Sequence, residues 1–420
     1  MRIKNSKLSI ARVNLPLAFF LMSFFLIAGC STFSRNADQI RSQLRSGNVS
    51  EAAKIVEEKA NKDSDDQIVF LFEYGTIEQI ARDFDKSTKA FLKAEDLTEI
   101  KDYHSLSRIT GSLLLNEGMV QYKGEDYEKV FINAMLAINY LMIGQPEEAM
   151  VETRRMNEKL YRYRFEAKRP YEQNPFAFYL AALIREENKD WDGAYIDFKR
   201  VHELNPGLEM LHEDLVRAGL RAQRMDDVQK WRKEFKVKDR KEWKDPNYGE
   251  LVLIYQQGWA PQKRPHPNWP KIPKLYPTPT QTQFAKIIVE GQGEVISERV
   301  SSVQDVAIKA LDDLYAGLIA KRMAGIAAKA VVADQIRQKN PLLGDLAFIG
   351  MSLADQADLR QWSTLPESFQ IAKIYLKAGK YKVKVQGLGH NRSPTSEYRE
   401  GLDVEIKPRK KTFLNWRSVQ

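Results

Sequence analysis

Between Phe33 and Val228, large and small apolar residues return at helical spacing in paired runs separated by short polar turns. One pair reads Leu71, Tyr74-Gly75, then Phe84, Ser87, Phe91 and Ala94. A second reads Asn133, Leu136-Ala137, Tyr140, Gly144 and Ala149, and a third Phe178, Ala181-Ala182, Trp191, Ala194, Phe198 and Pro206. Fainter copies begin near Phe33, with Leu44, Gly47 and Ala53, and near Glu209, with Leu215, Met225 and Val228. The pattern predicts helical hairpins in which small residues let two helices approach while bulky ones plug into the next hairpin. Ala53 to Ser87 and Ala194 to Val228 are each a step of 34 residues, whereas the middle is irregular, with an extra stretch over residues 101–128 and a long step from Leu160 to Pro175.

Beyond Trp243 the pattern changes. Residues 250–255 read as a strand that belongs with the C-terminal domain, and prolines then fall at 261, 265, 267, 270, 273, 277 and 279. Such density disfavours helix and sheet interior and predicts an extended strap. Residues 284–289 and 294–300 suit strands, after which Val303, Ala307, Ala310, Leu314 and Leu318 mark one face of a long helix. The apolar stretch 323–333 is interrupted by Lys329 and is too short for a span, so it is expected to be a buried helix segment. From Phe369 the period is two: Ala372, Ile374 and Leu376, then Gly379, then Tyr381, Val383 and Val385, a pattern that predicts a hairpin, with another strand at Leu402, Val404 and Ile406.

The rhythm of the first half and its 34-residue step resemble the tetratricopeptide repeat. The turn Asn188-Lys189-Asp190-Trp191-Asp192-Gly193-Ala194, closed by Asn205-Pro206, favours that reading over a generic helical domain. The expected fold is therefore a TPR-like α-solenoid over residues 30–245, a strand and proline-rich strap over 246–281, and a smaller α+β domain over 282–420, β-sandwich-like with a helical hairpin.

The first residues set the compartment. Arg2, Lys4, Lys7 and Arg12 precede an apolar run over residues 15–27, the layout of a secretory signal. Leu26-Ile27-Ala28-Gly29-Cys30 resembles the bacterial lipobox, whose cysteine receives diacylglycerol once residues 1–29 are removed. Cys30 is the sequence's single cysteine, so no intrachain disulfide can form, and lipidation explains an otherwise unpaired thiol. The alternative is an ordinary secretory signal with an incidental cysteine. Acyl chains at Cys30 would hold the chain on a membrane. Ser31, where lipoproteins retained at the inner membrane carry Asp, points to the outer membrane, on its periplasmic face.

Composition agrees with folded cores behind such an anchor: 43% hydrophobic and 29% charged. Formal charge is +9, but the signal supplies four positive residues and no negative ones, leaving +5, too mild a balance to call for nucleic acid. The five histidines show no helical zinc spacing, Gly291-Gln292-Gly293 and Gly387-Leu388-Gly389 lack the rest of a phosphate loop, and no nucleophile elbow occurs. The sequence gives no case for an enzyme, a metal or a cofactor.

Four blocks carry a wider resemblance: residues 122–128 (YKGEDYE), 151–155 (VETRR), 249–252 (GELV) and 359–366 (LRQWSTLP). They are similar to an uncharacterised family of proteobacterial lipoproteins, TPR-like in front and β-rich behind. Genes of that family often lie beside those of lipoproteins that activate penicillin-binding proteins. The resemblance implies an envelope role linked to cell-wall synthesis and carries no activity with it. The expected partner is an envelope protein or peptide held on the concave face of the solenoid, with peptidoglycan bound by the C-terminal domain as the alternative and an undetected wall hydrolase as a further one.

Two candidate patches remain. Arg154, Arg155, Lys159, Arg162 and Arg164, continued by Lys168 and Arg169 and interleaved with aromatic residues, offer an anion-binding face; equally, Arg154, Glu158, Arg162 and Glu166 at intervals of four read as a solvated ladder. Asp358, Arg360 and Trp362 alternate on an extended segment and form either a recognition patch or, the favoured reading, a structural clasp.

Overall fold

The computed structural model describes residues 28–104, 121–168, 171–353 and 356–420. The signal segment with Leu26 and Ile27, the insertion over 105–120, and Arg169 lie outside these residues, and the side chains of Ala28, Gly29 and Cys30 are likewise not described. Ten helices form antiparallel pairs in sequence order: α1 (Ala28–Arg45) with α2 (Val49–Asn61), α3 (Gln67–Ala81) with α4 (Phe84–His104), α5 (Asp126–Met142) with α6 (Pro146–Phe165), α7 (Pro175–Glu187) with α8 (Trp191–Leu204), and α9 (Met210–Arg221) with α10 (Met225–Phe235). This is a TPR-like solenoid.

Local chemistry sets the hairpins. Asn174 and Asp190 cap α7 and α8 by accepting from the N–H groups of Phe176 and Gly193, and Pro146 and Pro175 stand in first turns, where no N–H is needed. The small positions work by contact: a Cβ at Gly75 would sit 2.7 Å from the Phe91 ring, and one at Gly219 would sit 2.8 Å from Val228. Helix α3 is buried from Gln67 to Gln79 and α5 along most of its length. Helices buried all round have neighbours on every side. On the inner side, those neighbours come from the C-terminal half.

That half contains two four-stranded sheets. The first has the order β10 (Lys411–Arg417), β1 (Tyr248–Gln257), β7 (Ser368–Lys377), β6 (Glu298–Ser302), with β1 parallel to β10 and antiparallel to β7. The second has the order β5 (Gly293–Ile296), β4 (Phe284–Val289), β8 (Gly379–Leu388), β9 (Pro394–Ile406), all antiparallel. Leu251, Leu253 and Tyr255 face the second sheet, closing a sandwich core with Ile287, Val289, Val383 and Val385. Their neighbours Val252 and Ile254 face the other way and join the solenoid core with Phe369 and Ile371. Strand β1 is thus buried on both faces, which explains the continuous apolar run Leu251–Tyr255.

Three expectations are corrected. Residues 369–385 do not form a hairpin: β7 belongs to the first sheet and β8 to the second, and Gly379 marks the corner where the chain crosses between them. A period of two reports which faces are apolar and is silent on which strand lies alongside. The proline-rich strap is not uniformly extended, since β2 (Gln262–Pro265) pairs with β3 (Pro273–Tyr276) in an isolated two-stranded ribbon; both strands are edges, where proline is tolerated. Residues 323–333 are not a buried segment. They lie in α11 (Val303–Lys339), which with α12 (Pro341–Leu353) makes a helical hairpin, and Met323 and Val331 are 56% and 59% exposed. Among the described residues, no helix is long and apolar enough to cross a membrane.

Candidate functional site

The row of first helices, α1, α3, α5, α7 and α9, is the surface that such a solenoid presents to a ligand. Here the chain itself fills it. Trp362 is buried with its ring stacked on Phe72, 4.8 Å between centroids, and tilted against Phe91 at 5.4 Å. Its indole N–H donates to Thr76 Oγ1 at 2.8 Å, and its backbone N–H donates to Glu128 Oε1 at 2.6 Å. The next two N–H groups, of Ser363 and Thr364, donate to the two oxygens of Glu73 at 2.6 and 3.1 Å. Two carboxylates from the solenoid therefore hold three consecutive backbone N–H groups, the arrangement by which an extended peptide is gripped.

Arg360 anchors the start of this segment. Its guanidinium donates to Asp358 at 2.7 Å and to Asp66 of the solenoid at 2.8 Å, and lies 5.2 Å over the Tyr122 ring. From behind, the strap closes over the segment: Lys263 pairs with Glu125 and donates to the Arg360 carbonyl at 3.0 Å, and its N–H donates to Gln361 Oε1 at 2.6 Å. Tyr122 donates to Glu128 Oε2 at 2.5 Å. Burial pushes the Glu128 carboxyl up to about 7, against the opposing charge of Lys263. Burial likewise raises Glu73, although Thr364 and Ser363 bond to it. Asp358, Arg360 and Trp362 thus stand in a clasp turned into the solenoid.

A second junction is ionic. Asp214, Glu186 and Glu250 face Arg217, Lys373 and Lys411, three acids to three bases, where α7 and α9 meet the first sheet. Arg217 donates to Glu186 at 2.9 and 2.6 Å, Lys411 reaches Glu250 at 2.5 Å and Glu186 at 3.0 Å, Lys373 pairs with Asp214, and Tyr179 donates to Asp214 at 2.9 Å. Burial works against the charges of Asp214, Glu186, Glu250, Arg217 and Lys411. At Glu250, the combined pull of Lys411, Arg217 and Lys373 outweighs it and holds the carboxyl well below its ordinary value; at Asp214, burial prevails and the carboxyl is raised. Phe369 stacks on Phe131 and Phe176 between the two junctions, at 5.8 and 4.5 Å.

The basic patch is split by the fold. Lys159 turns inward onto Glu95 at 2.6 Å, where Asn133 also bonds Glu95 and Glu152, while Arg155, its side chain 47% exposed, reaches Glu95 from the rim at 3.3 Å. Arg154, Arg162 and Arg164 stay on the exposed side of α6 with Glu158 and Glu166. Parts of all four sequence blocks enter these networks: Tyr122, Glu125 and Glu128; Glu152, with Arg155 at the exposed rim; Glu250; Arg360 and Trp362. Sequence reading missed Glu73, Asp214 and Arg217. The available signal was a charge set within an apolar run, as in Phe70-Leu71-Phe72-Glu73-Tyr74. His202 and His212, ten residues apart, meet in an aromatic cluster with Trp231 and Phe235.

Beside Phe131, the interface opens into a cleft of about 450 Å³ between α5, α7 and the start of α11, lined by Tyr127, Tyr171, Asn174, Asn205, Ser301 and Leu314 among others. Asn174 donates to Ser301 at 3.0 Å, and Asn205 donates to the carbonyls of Arg299 and Val300 at 3.1 Å each. Among the described residues, no group of three or more acidic, histidine or cysteine side chains is placed to hold a metal ion.

Fold and inner face together define a TPR-like solenoid closed by its own C-terminal sandwich. No family model matches the chain, and no curated protein is similar to it. Among solved structures, it is similar to MamA, residues 41 to the end, from Desulfovibrio magneticus (15% identity, 50% of this chain and 94% of that one, TM-score 0.34). It is also similar to the putative kinesin light chain TPR-like repeats of Podosopora anserina (13%, 50% and 95%, 0.35) and to a tetratricopeptide repeat protein of Parabacteroides merdae (13%, 49% and 66%, 0.33).

Proposed function

We propose that this protein is a lipid-anchored scaffold of the bacterial envelope, tethered through Cys30 at the periplasmic face of the outer membrane, which binds another envelope protein and serves cell-wall synthesis. The lipobox-like Leu26-Ile27-Ala28-Gly29-Cys30 supports the anchor, and the resemblance of the four blocks to proteobacterial lipoproteins supports the envelope role. The observation that carries the scaffold reading is the solenoid locked to the sandwich by buried clasps, since a preformed body of this kind presents rigid surfaces at low ordering cost. Because Trp362 and its neighbours cover the inner face, the partner engages the outer surfaces or the cleft beside Phe131.

Cross-linking in intact cells, compared with a Cys30→Ala form, is the test: a specific partner lost with the anchor supports the proposal, and recovery of background alone overturns it. The cleft supports a second reading, wall binding, because aromatic Tyr127 and Tyr171 beside the amides of Asn174 and Asn205 suit a glycan. Cosedimentation of the whole chain with purified peptidoglycan, abolished by Tyr171→Ala with fold retained, would favour that reading over a protein partner.

A further inference from the structure

A second cleft, of about 220 Å³, opens at the ionic junction, where the ends of α7 and α9 meet residues 241–250 and the turn that joins β9 to β10. Its buried charges are already matched: Glu186 and Glu250 are held by Arg217 and Lys411, so neither acid is left to repel an anion. Nearer the mouth, Glu187 pairs with Lys410 at 3.0 Å and Lys244 with Asp239 at 3.2 Å. Glu242 faces Arg240 at 3.6 Å, and Asp245 accepts from the Asn247 N–H at 2.9 Å. Three exposed cations of the lining are left over. Lys189, Arg221 and Arg409 form no ion pair among the described residues. Seven bases and five acids line the cleft, a surplus of two positive charges, and the partners of these residues beyond the lining, Asp214, Asp239, Arg240 and Lys373, cancel among themselves.

Hydrogen-bond donors are in surplus as well. Trp243 is 7% exposed, and its indole N–H has no acceptor; the hydroxyl of Tyr375, another residue of the lining, is likewise buried without a partner. Buried donors of a folded chain are nearly all matched, so two in one cleft mark a place for acceptor oxygens. Arg221 is held ready beside them: it donates to the Trp243 carbonyl at 2.6 Å and lies 5.5 Å over the Trp191 ring.

Charge and donor number select the occupant. A carboxylate brings one negative charge, whereas a phosphate monoester brings roughly 1.5 to 2 near neutral pH together with three strong acceptor oxygens. The phosphate matches the surplus of two. The half-buried rings of Trp191 and Tyr248 add apolar wall for the carbon skeleton that carries it.

We propose that this cleft binds a small soluble phosphate monoester, with Lys189, Arg221 and Arg409 facing its charge and the Trp243 indole among its donors. The site is separate from the cleft beside Phe131 and from Cys30, so it stands or falls independently of the scaffold reading. The test follows the indole N–H resonances of the seven tryptophans in the folded chain from residue 30 onward, carrying Cys30→Ala, with Trp243 assigned by its loss in Trp243→Phe. Glycerol 3-phosphate is the probe and succinate, a dianion without phosphorus, the comparison. The expected result is a saturable shift of the Trp243 resonance with glycerol 3-phosphate and a much weaker response to succinate. Lys189→Gln combined with Arg409→Gln, which removes two exposed side chains without partners, should raise the midpoint by about fivefold or more while the other indole resonances stay in place. Lys89→Gln combined with Lys93→Gln, an equal loss of charge on the exposed side of α4, should leave the midpoint unchanged. The absence of a saturable shift up to roughly 10 mM overturns the proposal. So does an unchanged midpoint in the first double variant, or an equal rise in the second, which would report only the overall charge of the chain. Succinate binding as tightly as the phosphate overturns it too, since that assigns the cleft to carboxylates.

Discussion

The inner face of the solenoid and the α11–α12 hairpin are both rich in aromatic or aliphatic side chains, yet one has them covered and the other leaves them exposed. On the inner face, each exceptional residue has partners from distant sequence: Trp362 from Phe72, Thr76 and Glu128, Arg217 from Glu186 and Glu250. On the hairpin, Leu342 and Ile349 face outward. The difference separates structure from encounter. Residues that the fold saturates specify how the two halves join, whereas residues it leaves uncovered are available to something outside the chain.

Substitutions should expose this contrast. Trp362→Ala is expected to have the largest effect, about 5 kcal/mol off the unfolding free energy in denaturant titration, because it empties a stacked pocket and leaves Thr76 without its indole donor. Arg217→Met should come next at about 3–4 kcal/mol, since it strands Glu186 and Glu250 with fewer cations in a buried site.

Glu128 sharpens the comparison through pH. Its carboxyl titrates near 7 in the folded chain against an ordinary 4.5, so between those values the native state keeps a proton that the unfolded state has released. Its contribution is therefore whole at the acid end and is lost as pH rises through 7, an effect on the order of 2–3 kcal/mol. The stability difference between the native chain and Glu128→Gln, measured from pH 5 to pH 8, isolates it from the oppositely shifted Glu250. A flat difference would contradict this origin. At the small end, Leu343→Glu should change unfolding free energy by less than about 0.5 kcal/mol; a large loss would mean that the hairpin is core after all.

Much of the fold is legible in the sequence because it is local. Gly75 before Phe91, Asp190 before Gly193 and the step of 34 residues all act within one hairpin or between neighbours. The illegible part is non-local. Ser363 meets Glu73 across 290 positions and Trp362 meets Thr76 across 286, and no periodicity encodes such pairings. The same limit makes residues 369–385 read as a hairpin, since the alternation is equally satisfied by two strands in facing sheets. The clasp at Asp358, Arg360 and Trp362 is visible as chemistry, whereas its receptor, built from Asp66, Glu73 and Glu128 of the solenoid, is not. In 323–333, the apolar content is plain in the sequence and its surroundings are not, because hydropathy reports what a helix could bury and not whether anything covers it.

The central claim is that the inner face of the solenoid is occupied by its own segment around Trp362. Hydrogen exchange of the folded chain, read by mass spectrometry over peptides covering residues 357–371, tests it most directly. Protection of the Trp362, Ser363 and Thr364 amides comparable to that of helices α3 and α5 is expected, because their N–H groups are held by Glu128 and Glu73. Exchange as fast as that of an exposed loop would contradict the account.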